Sequence, residues 1–319
     1  MSETSYATDS LSASAPVLSV SPVVLPAPGR PVDLQVRVSA PVTGPELPVI
    51  LLSHGHGNSN NLSSLNGYAP LASFWAAHGF VVIQPTHLDS KTLSLDPGDP
   101  EAPLYWRSRA EDMTRILDQL DVIEAAVPRL SGRVDRTRVA VAGHSLGGQT
   151  ASLLLGARLT DPHDGTEVNL ADPRITAGVL LAAPGRGGDA LSEFAARNFP
   201  FFLTTDFSAM TTPALVVAGE KDASPHLTVA GPEWHTDPYF LAPSPKSLLI
   251  LLGAEHGLGG VSGYDAAETT DESPERVAAV QQLTSAYLRS EFHPGDPAWR
   301  RAQEALTTGA HAVGRVESR

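Results

Sequence analysis

"VAVAGHSLGGQTASLLLGARL", residues 139–159, decides the fold. A short run of small apolar residues, Val139 to Ala142, enters Gly143-His144-Ser145-Leu146-Gly147, and "LGGQTASLLLGARL" reads as a helix leaving it. The outer frame is G-x-S-x-G. On its own this pentapeptide is weak, because a serine in a glycine-rich turn needs no chemistry. In a strand–turn–helix frame it carries mechanism: the tight turn lifts the serine hydroxyl off the carboxyl edge of a sheet, and glycines flank it where side chains would collide.

The neighbouring segments supply that sheet. "PVILLSHG" (48–55), "FVVIQP" (80–85), "RVAVAG" (138–143), "ITAGVLLAAPG" (175–185), "ALVVAG" (214–219) and "SLLILLG" (247–253) are continuously apolar, as strands buried on both faces are. "PVLSVSPVVL" (16–25) and "VDLQVRVSA" (32–40) alternate instead, which predicts an antiparallel pair at a sheet edge. Helical spacing recurs at 68–79, closed by Gly79, at 107–127, where Met113, Ile116, Leu117, Leu120 and Ile123 share a face, and at 272–292, with Ser273 as N-cap. Strand–helix alternation of this kind predicts a mostly parallel sheet with helices on both faces. No linker or internal repeat divides the chain. The expectation is a disordered arm over residues 1–16 and one α/β domain over 17–319, with a cap-like excursion at about 185–212.

Composition bounds the partners. The 319 residues carry a net charge of −13 and no Lys/Arg cluster, so a phosphate backbone would be repelled and nucleic acid is not an expected partner. No stretch approaches the ~18 apolar residues of a membrane span. Cysteine is absent, which removes disulfides, thiolate metal sites and a cysteine nucleophile together. With no basic region followed by an apolar run in "MSETSYATDSLSASAP", the expectation is a cytoplasmic protein. Oligomeric state is not legible.

A serine hydroxyl needs a base, and the base needs an orienting acid. In this architecture both follow the serine, acid first, each just past the end of a later strand. Asp222 follows "ALVVAGEK" and His256 follows "SLLILLGAE". Asp206 lies before its strand and Glu220 two residues early, so both are weaker candidates for the acid. A solvated turn carboxylate and a surface histidine are the bland alternatives for Asp222 and His256. Shared order and position argue against both. The oxyanion requires two N–H donors: one from Leu146, the residue after the serine, and one from the glycine-rich loop Ser53-His54-Gly55-His56-Gly57, most naturally that of His56. His54 and His56 could instead hold a metal, but at i, i+2 on an extended chain they point oppositely and no third ligand is evident, so no metal or other cofactor is expected.

These residues carry a resemblance. "SHGHG", "HGFVVIQPTH", "GHSLGG", "AGEKDASP" and "GAEHG" together make residues 45–290 similar to the α/β-hydrolases, specifically to the serine esterases around platelet-activating-factor acetylhydrolase, chlorophyllase and the cutinase-like polyester hydrolases. The resemblance implies an α/β-hydrolase fold and a carboxylesterase-type reaction on a small-molecule ester. It puts nucleophile, acid and base on Ser145, Asp222 and His256, and the oxyanion donors on His56 and Leu146. Lipase, polyester hydrolase, acyltransferase and cofactor-free perhydrolase are other uses of the same triad, and a non-catalytic binding protein on a hydrolase scaffold is the alternative of another class. Five of the nine phenylalanines fall at 194–207. They are either ordinary core under the excursion or, with Trp106 and Trp234, the walls of an apolar pocket; Phe201 and Phe207 are the named candidates. The segment 88–106, "LDSKTLSLDPGDPEAPLYW", is read as a loop that either borders the site or runs over the surface.

Overall fold

A computed structural model describes residues 14–95, 101–263, 266–308 and 312–319. Eleven strands are described: β1 (Val17–Leu25), β2 (Leu34–Pro41), β3 (Leu47–Ser53), β4 (Val81–Pro85), β5 (Val134–His144), β6 (Arg158–Thr160), β7 (Glu167–Asn169), β8 (Ile175–Leu181), β9 (Ala214–Gly219), β10 (Lys246–Leu251) and β11 (Gly314–Ser318). Nine of them form one sheet in the order β1-β2-β4-β3-β5-β8-β9-β10-β11. Pairing is parallel from β4 to β10 and antiparallel at β1–β2, β2–β4 and β10–β11. β6 and β7 make a separate small hairpin.

The apolar runs explain the parallel centre. β3, β4, β8 beyond its first turn, β9 and β10 are buried on both faces because helices cover both. On one face lie α2 (Trp106–Asp118), α3 (Leu120–Ala126), α4 (Leu146–Leu154) and α6 (Asp237–Leu241), contributing Met113, Ile116, Ile123, Leu154 and Tyr239 to one core. On the other lie α1 (Ala69–Ala77), α7 (Pro274–Phe292) and α8 (Ala298–Thr308), contributing Leu71, Trp75, Val280, Leu283 and Leu288. Each fully buried Leu or Ile in these layers contributes about 1.5–3 kcal/mol. A third cluster underlies the excursion that contains α5 (Glu193–Asn198).

The helix expected over 107–127 is two helices, because the backbone at Gln119 leaves helical geometry (φ −118°, ψ 25°). Ser273 does cap α7, its hydroxyl accepting the Arg276 N–H at 3.3 Å. Sequence reasoning did not reach α8 or β11. The latter is a five-residue, mostly exposed edge strand with too weak an apolar alternation to register. Of the arm expected over 1–16, residues 1–13 lie outside the described residues, and 14–16 lead directly into β1.

What the fold does for a site is geometric. β3, β5, β9 and β10 are parallel, so their carboxyl ends, carrying His54–Gly57, Ser145, Asp222 and His256, open on one edge of the sheet.

Candidate active site

The turn from β5 into α4 holds Ser145 at φ 56°, ψ −121°, a conformation that non-glycine residues avoid and that costs on the order of 1–3 kcal/mol. The turn closes only because its flanks lack side chains. A Cβ on Gly143 would overlap the carbonyl of Gly147, and one on Gly147 would overlap the carbonyl of Ser53. The Ser145 N–H donates to the carbonyl of Leu181 on β8 at 2.9 Å, which pins the turn to the sheet.

Three side chains from three strand ends converge there. His256 Nε2 lies 2.8 Å from Ser145 Oγ, and His256 Nδ1 lies 2.7 Å from Asp222 Oδ2. The Asp222 side chain is 1 % exposed and that of His256 36 %, so the acid is shut away while the imidazole faces the cleft. Burial by itself would raise the Asp222 carboxyl, but hydrogen bonds from His235 and His256 hold it well below the usual carboxylate range. The carboxylate is therefore ionised and its Oδ2 accepts the Nδ1 proton of His256, leaving Nε2 to accept from the serine hydroxyl. Asp206, the competing acid, is engaged with Ser208 in the loop before β9.

The loop after β3 differs in how its amides are engaged. Gly55 N–H donates to the Tyr68 hydroxyl at 2.9 Å. Among the described residues, the N–H groups of His56 and Leu146 have no protein acceptor. The His56 ring is held by Asp89, Nδ1 to Oδ2 at 3.0 Å.

Five residues of this region carried no recognised signal in the sequence. His144 occupies the second position of the G-x-S-x-G frame; its Nδ1 accepts from the Tyr68 hydroxyl at 2.9 Å and its Nε2 donates to the carbonyl of His256 at 2.7 Å. Burial and the neighbouring His256 push its pKa down to about 3, so it is a neutral tie between the elbow and the His256 loop. Tyr68, receiving the Gly55 N–H, joins the β3 loop to the same tie. Asp89 and Arg109 form a fully buried ion pair, and Arg109 also donates to Thr150 Oγ1 (3.1 Å), Ser53 Oγ (3.2 Å) and the carbonyl of His54. His235 makes a second approach to the Asp222 carboxylate, Nε2 to Oδ2 at 3.2 Å. Of the 88–106 segment, Asp89 is tied to the His56 ring, while 96–100 lie outside the described residues.

Among the described residues, the ring nitrogens of His54, His235 and His256 are engaged in hydrogen bonds. His54 has both ring nitrogens engaged, Nδ1 with the carbonyl of Gly55 (2.8 Å) and Nε2 with the N–H of His87 (3.1 Å). Asp222, His235 and His256 lie close enough to share a cation. Their nitrogens, however, already contact Ser145, Ala183, Ser224 and Asp222 itself at hydrogen-bond distance.

The cleft at Ser145 has a volume of about 570 Å³. Leu62, Pro225 and Leu227 give it apolar wall, and Lys221, Glu255 and Glu268 a charged rim. The aromatic side chains expected to line it do not. Trp106, Phe201 and Trp234 are buried together in the cluster beneath the excursion, Trp106 stacked on Phe201 at 5.7 Å between ring centres, and Phe207 belongs to the main core beside Met210. Leu146 joins that cluster, so these rings support the elbow from behind. Phe201→Ala is accordingly expected to lower stability by about 3 kcal/mol in denaturant melts, with the ester chain-length profile unchanged; a profile shifted toward short acyl chains would return Phe201 to the pocket wall.

No protein-family model matches the chain. It is 29 % identical over 184 residues to Cutinase est2 of Thermobifida alba, covering 57 % of this chain and 45 % of the relative. It is 29 % identical over 182 residues to Cutinase 1 of Thermobifida cellulosilytica, covering 57 % and 51 %, and to a cutinase of Thermobifida fusca (strain YX), covering 57 % and 44 %. The match spans about half the length of these relatives. With the mostly parallel sheet covered on both faces, the tight turn holding Ser145 at the end of β5 and this similarity to cutinases over 57 % of its length, the chain has an α/β-hydrolase fold.

Proposed function

We propose that the protein is a cofactor-independent carboxylic-ester hydrolase of the serine type. The observation that carries this reading is the continuous pair of contacts from Ser145 Oγ through His256 to the buried Asp222, at 2.8 and 2.7 Å. His256 Nε2 takes the hydroxyl proton as Ser145 Oγ attacks the ester carbonyl, and the Asp222 carboxylate stabilises the imidazolium formed. The negative charge of the tetrahedral intermediate falls on the former carbonyl oxygen, which accepts from the N–H groups of His56 and Leu146. Its collapse breaks the ester C–O bond, the His256 proton leaves with the alcohol, and the acyl group stays on Ser145. Water, deprotonated by His256, then releases the acid.

Small to medium esters suit the volume of the cleft and the apolar side chains of Leu62, Pro225 and Leu227. Similarity to cutinases supports a second reading in which a polyester strand is the substrate. Release of soluble acid from a polyester film, compared with hydrolysis of p-nitrophenyl acetate to octanoate, separates the two. A fluorophosphonate should label Ser145 stoichiometrically, mapped by peptide mass spectrometry; label on another serine would overturn the assignment. EDTA is expected to leave the rate unchanged, and loss of activity restored by zinc or calcium would count against a metal-free mechanism.

A further inference from the structure

His235 is a fully buried histidine on the segment leading into α6, and its Nε2 approaches the same Asp222 oxygen, Oδ2, that His256 Nδ1 contacts. Counting protons fixes its state. Nδ1 lies 2.9 Å from the carbonyl of Ala183, which can only accept, so Nδ1 carries a proton. Nε2 lies 3.2 Å from both Asp222 Oδ2 and Ser224 Oγ. The single hydroxyl proton of Ser224 is directed to Asp222 Oδ1 at 2.7 Å, the shorter contact. Were Nε2 unprotonated, its lone pair would face an ionised carboxylate oxygen and a hydroxyl already donating elsewhere. Turning the Ser224 proton to Nε2 instead would leave two oxygen lone pairs facing each other at 2.7 Å. A proton on Nε2 instead donates to Ser224 Oγ, leaves the serine proton for Asp222 Oδ1 and places an imidazolium at ion-pair distance from Oδ2.

Asp222 needs such a partner. Its side chain is 1 % exposed, and among the described residues it accepts no backbone N–H and pairs with no lysine or arginine. A buried carboxylate without compensation is costly, and the remaining donors are Ser224, His256 and His235.

We propose that His235 is held as a permanent imidazolium on Asp222 and acts as a positioning residue for the triad, fixing the carboxylate and dividing its charge between two imidazoles. The proposal rests on the serine-hydrolase reading for its kinetic consequence but not for the protonation state itself. Because His235 already neutralises part of Asp222, the carboxylate stabilises a proton on His256 less than it would alone. The other ionisable groups around His235 are His256 from the loop after β10, His144 from the elbow, His226 from the loop after β9, and Asp237 on its own segment, itself bound by Arg186. None of them contacts Nε2.

The test has two arms. Proton-detected 15N spectra of histidine-labelled wild-type protein should show both ring nitrogens of His235 protonated and unchanged between about pH 5.5 and 8.5, where a free imidazole would titrate. The resonance is assigned by proximity to the Trp234 ring, 5.2 Å away between centres. A lone-pair-type signal at Nε2 would overturn the proposal. Second, His235→Gln retains an N–H donor toward Asp222 while removing the charge. The acid limb of kcat/KM should move up by about one pH unit, with KM little changed. A limb that stays in place, or a uniform loss of kcat at every pH, would mean that His235 only packs. If the variant does not fold, the wild-type spectra still decide. Absence of Ser145 labelling in wild type would instead sink the hydrolase reading and leave the spectral result standing.

Discussion

Ser145→Ala is expected to lower kcat toward p-nitrophenyl esters by about six decades, the size of loss found when a triad nucleophile is removed. The chain of reasoning is structural. Ser145 Oγ is the only nucleophilic atom within hydrogen-bond distance of His256 Nε2 among the described residues. No water activated by the same imidazole is as well placed, because the elbow fixes the serine and nothing fixes a replacement. What rate remains should come from the N–H groups of His56 and Leu146 and from binding. Stability should not fall. The hydroxyl's one described contact is with His256, and alanine keeps the same backbone burden at φ 56°. Ser145→Gly should be at least as stable as wild type, since glycine occupies positive φ without strain. The measurement pairs steady-state kinetics with urea melts. Residual activity within a hundredfold of wild type would show that another nucleophile carries the reaction, and a large drop in stability would show that Ser145 is structural.

The convergence of Ser145, Asp222 and His256 was legible because each of them follows a continuously apolar strand. A parallel sheet puts the carboxyl ends of such strands on one edge whatever the loops do. The glycine pattern worked for a related reason, as Gly143 answers to the carbonyl of Gly147 in the same turn and Gly147 to that of Ser53 on the neighbouring strand β3. The split at Gln119 and the edge strand β11 were not legible, because a continuing apolar face hides a break in backbone and a polar five-residue strand has no face to show. The aromatic residues illustrate a different limit. Phe201 and Trp106 are as apolar on a cleft wall as in a core, and composition alone does not separate the two. The polar network was hidden for the opposite reason. Asp89, Arg109, His144 and His235 are ordinary residues in sequence, and their significance lies in burial and in partners more than ten positions away.

Arg109 carries the largest structural consequence of that network. Its guanidinium and the Asp89 carboxylate are both fully buried, and Arg109 also supplies donors to Ser53, His54 and Thr150. Burial alone would raise the Asp89 carboxyl; the adjacent Arg109, then the hydrogen bond from His56, hold it well below the ordinary carboxylate range. A carboxyl depressed in the folded state adds stability above its unfolded pKa, and that stability is lost as pH falls toward the folded value. Arg109→Met preserves the volume of the stem but leaves Asp89, among the described residues, with the hydrogen bond to the His56 ring as its one side-chain partner. The expected loss at neutral pH is about 4 kcal/mol, as for other buried pairs broken on one side. The sign of the pH dependence then reverses. Without Arg109, burial makes protonation of Asp89 favourable, so the gap between variant and wild type should narrow as pH is lowered from 7 toward about 4.5. Loss of the bond to the His54 carbonyl also frees the loop that presents the His56 N–H, and kcat should fall by roughly tenfold or more, since small misplacements of reacting groups are costly. Arg109→Met with Asp89→Asn in the same chain removes the orphaned charge and should recover much of the stability but little of the rate. Urea melts across pH, read beside kcat, decide the matter. A gap that is constant with pH would locate the loss in packing rather than charge, and a variant with wild-type kcat would uncouple this ion pair from the oxyanion loop.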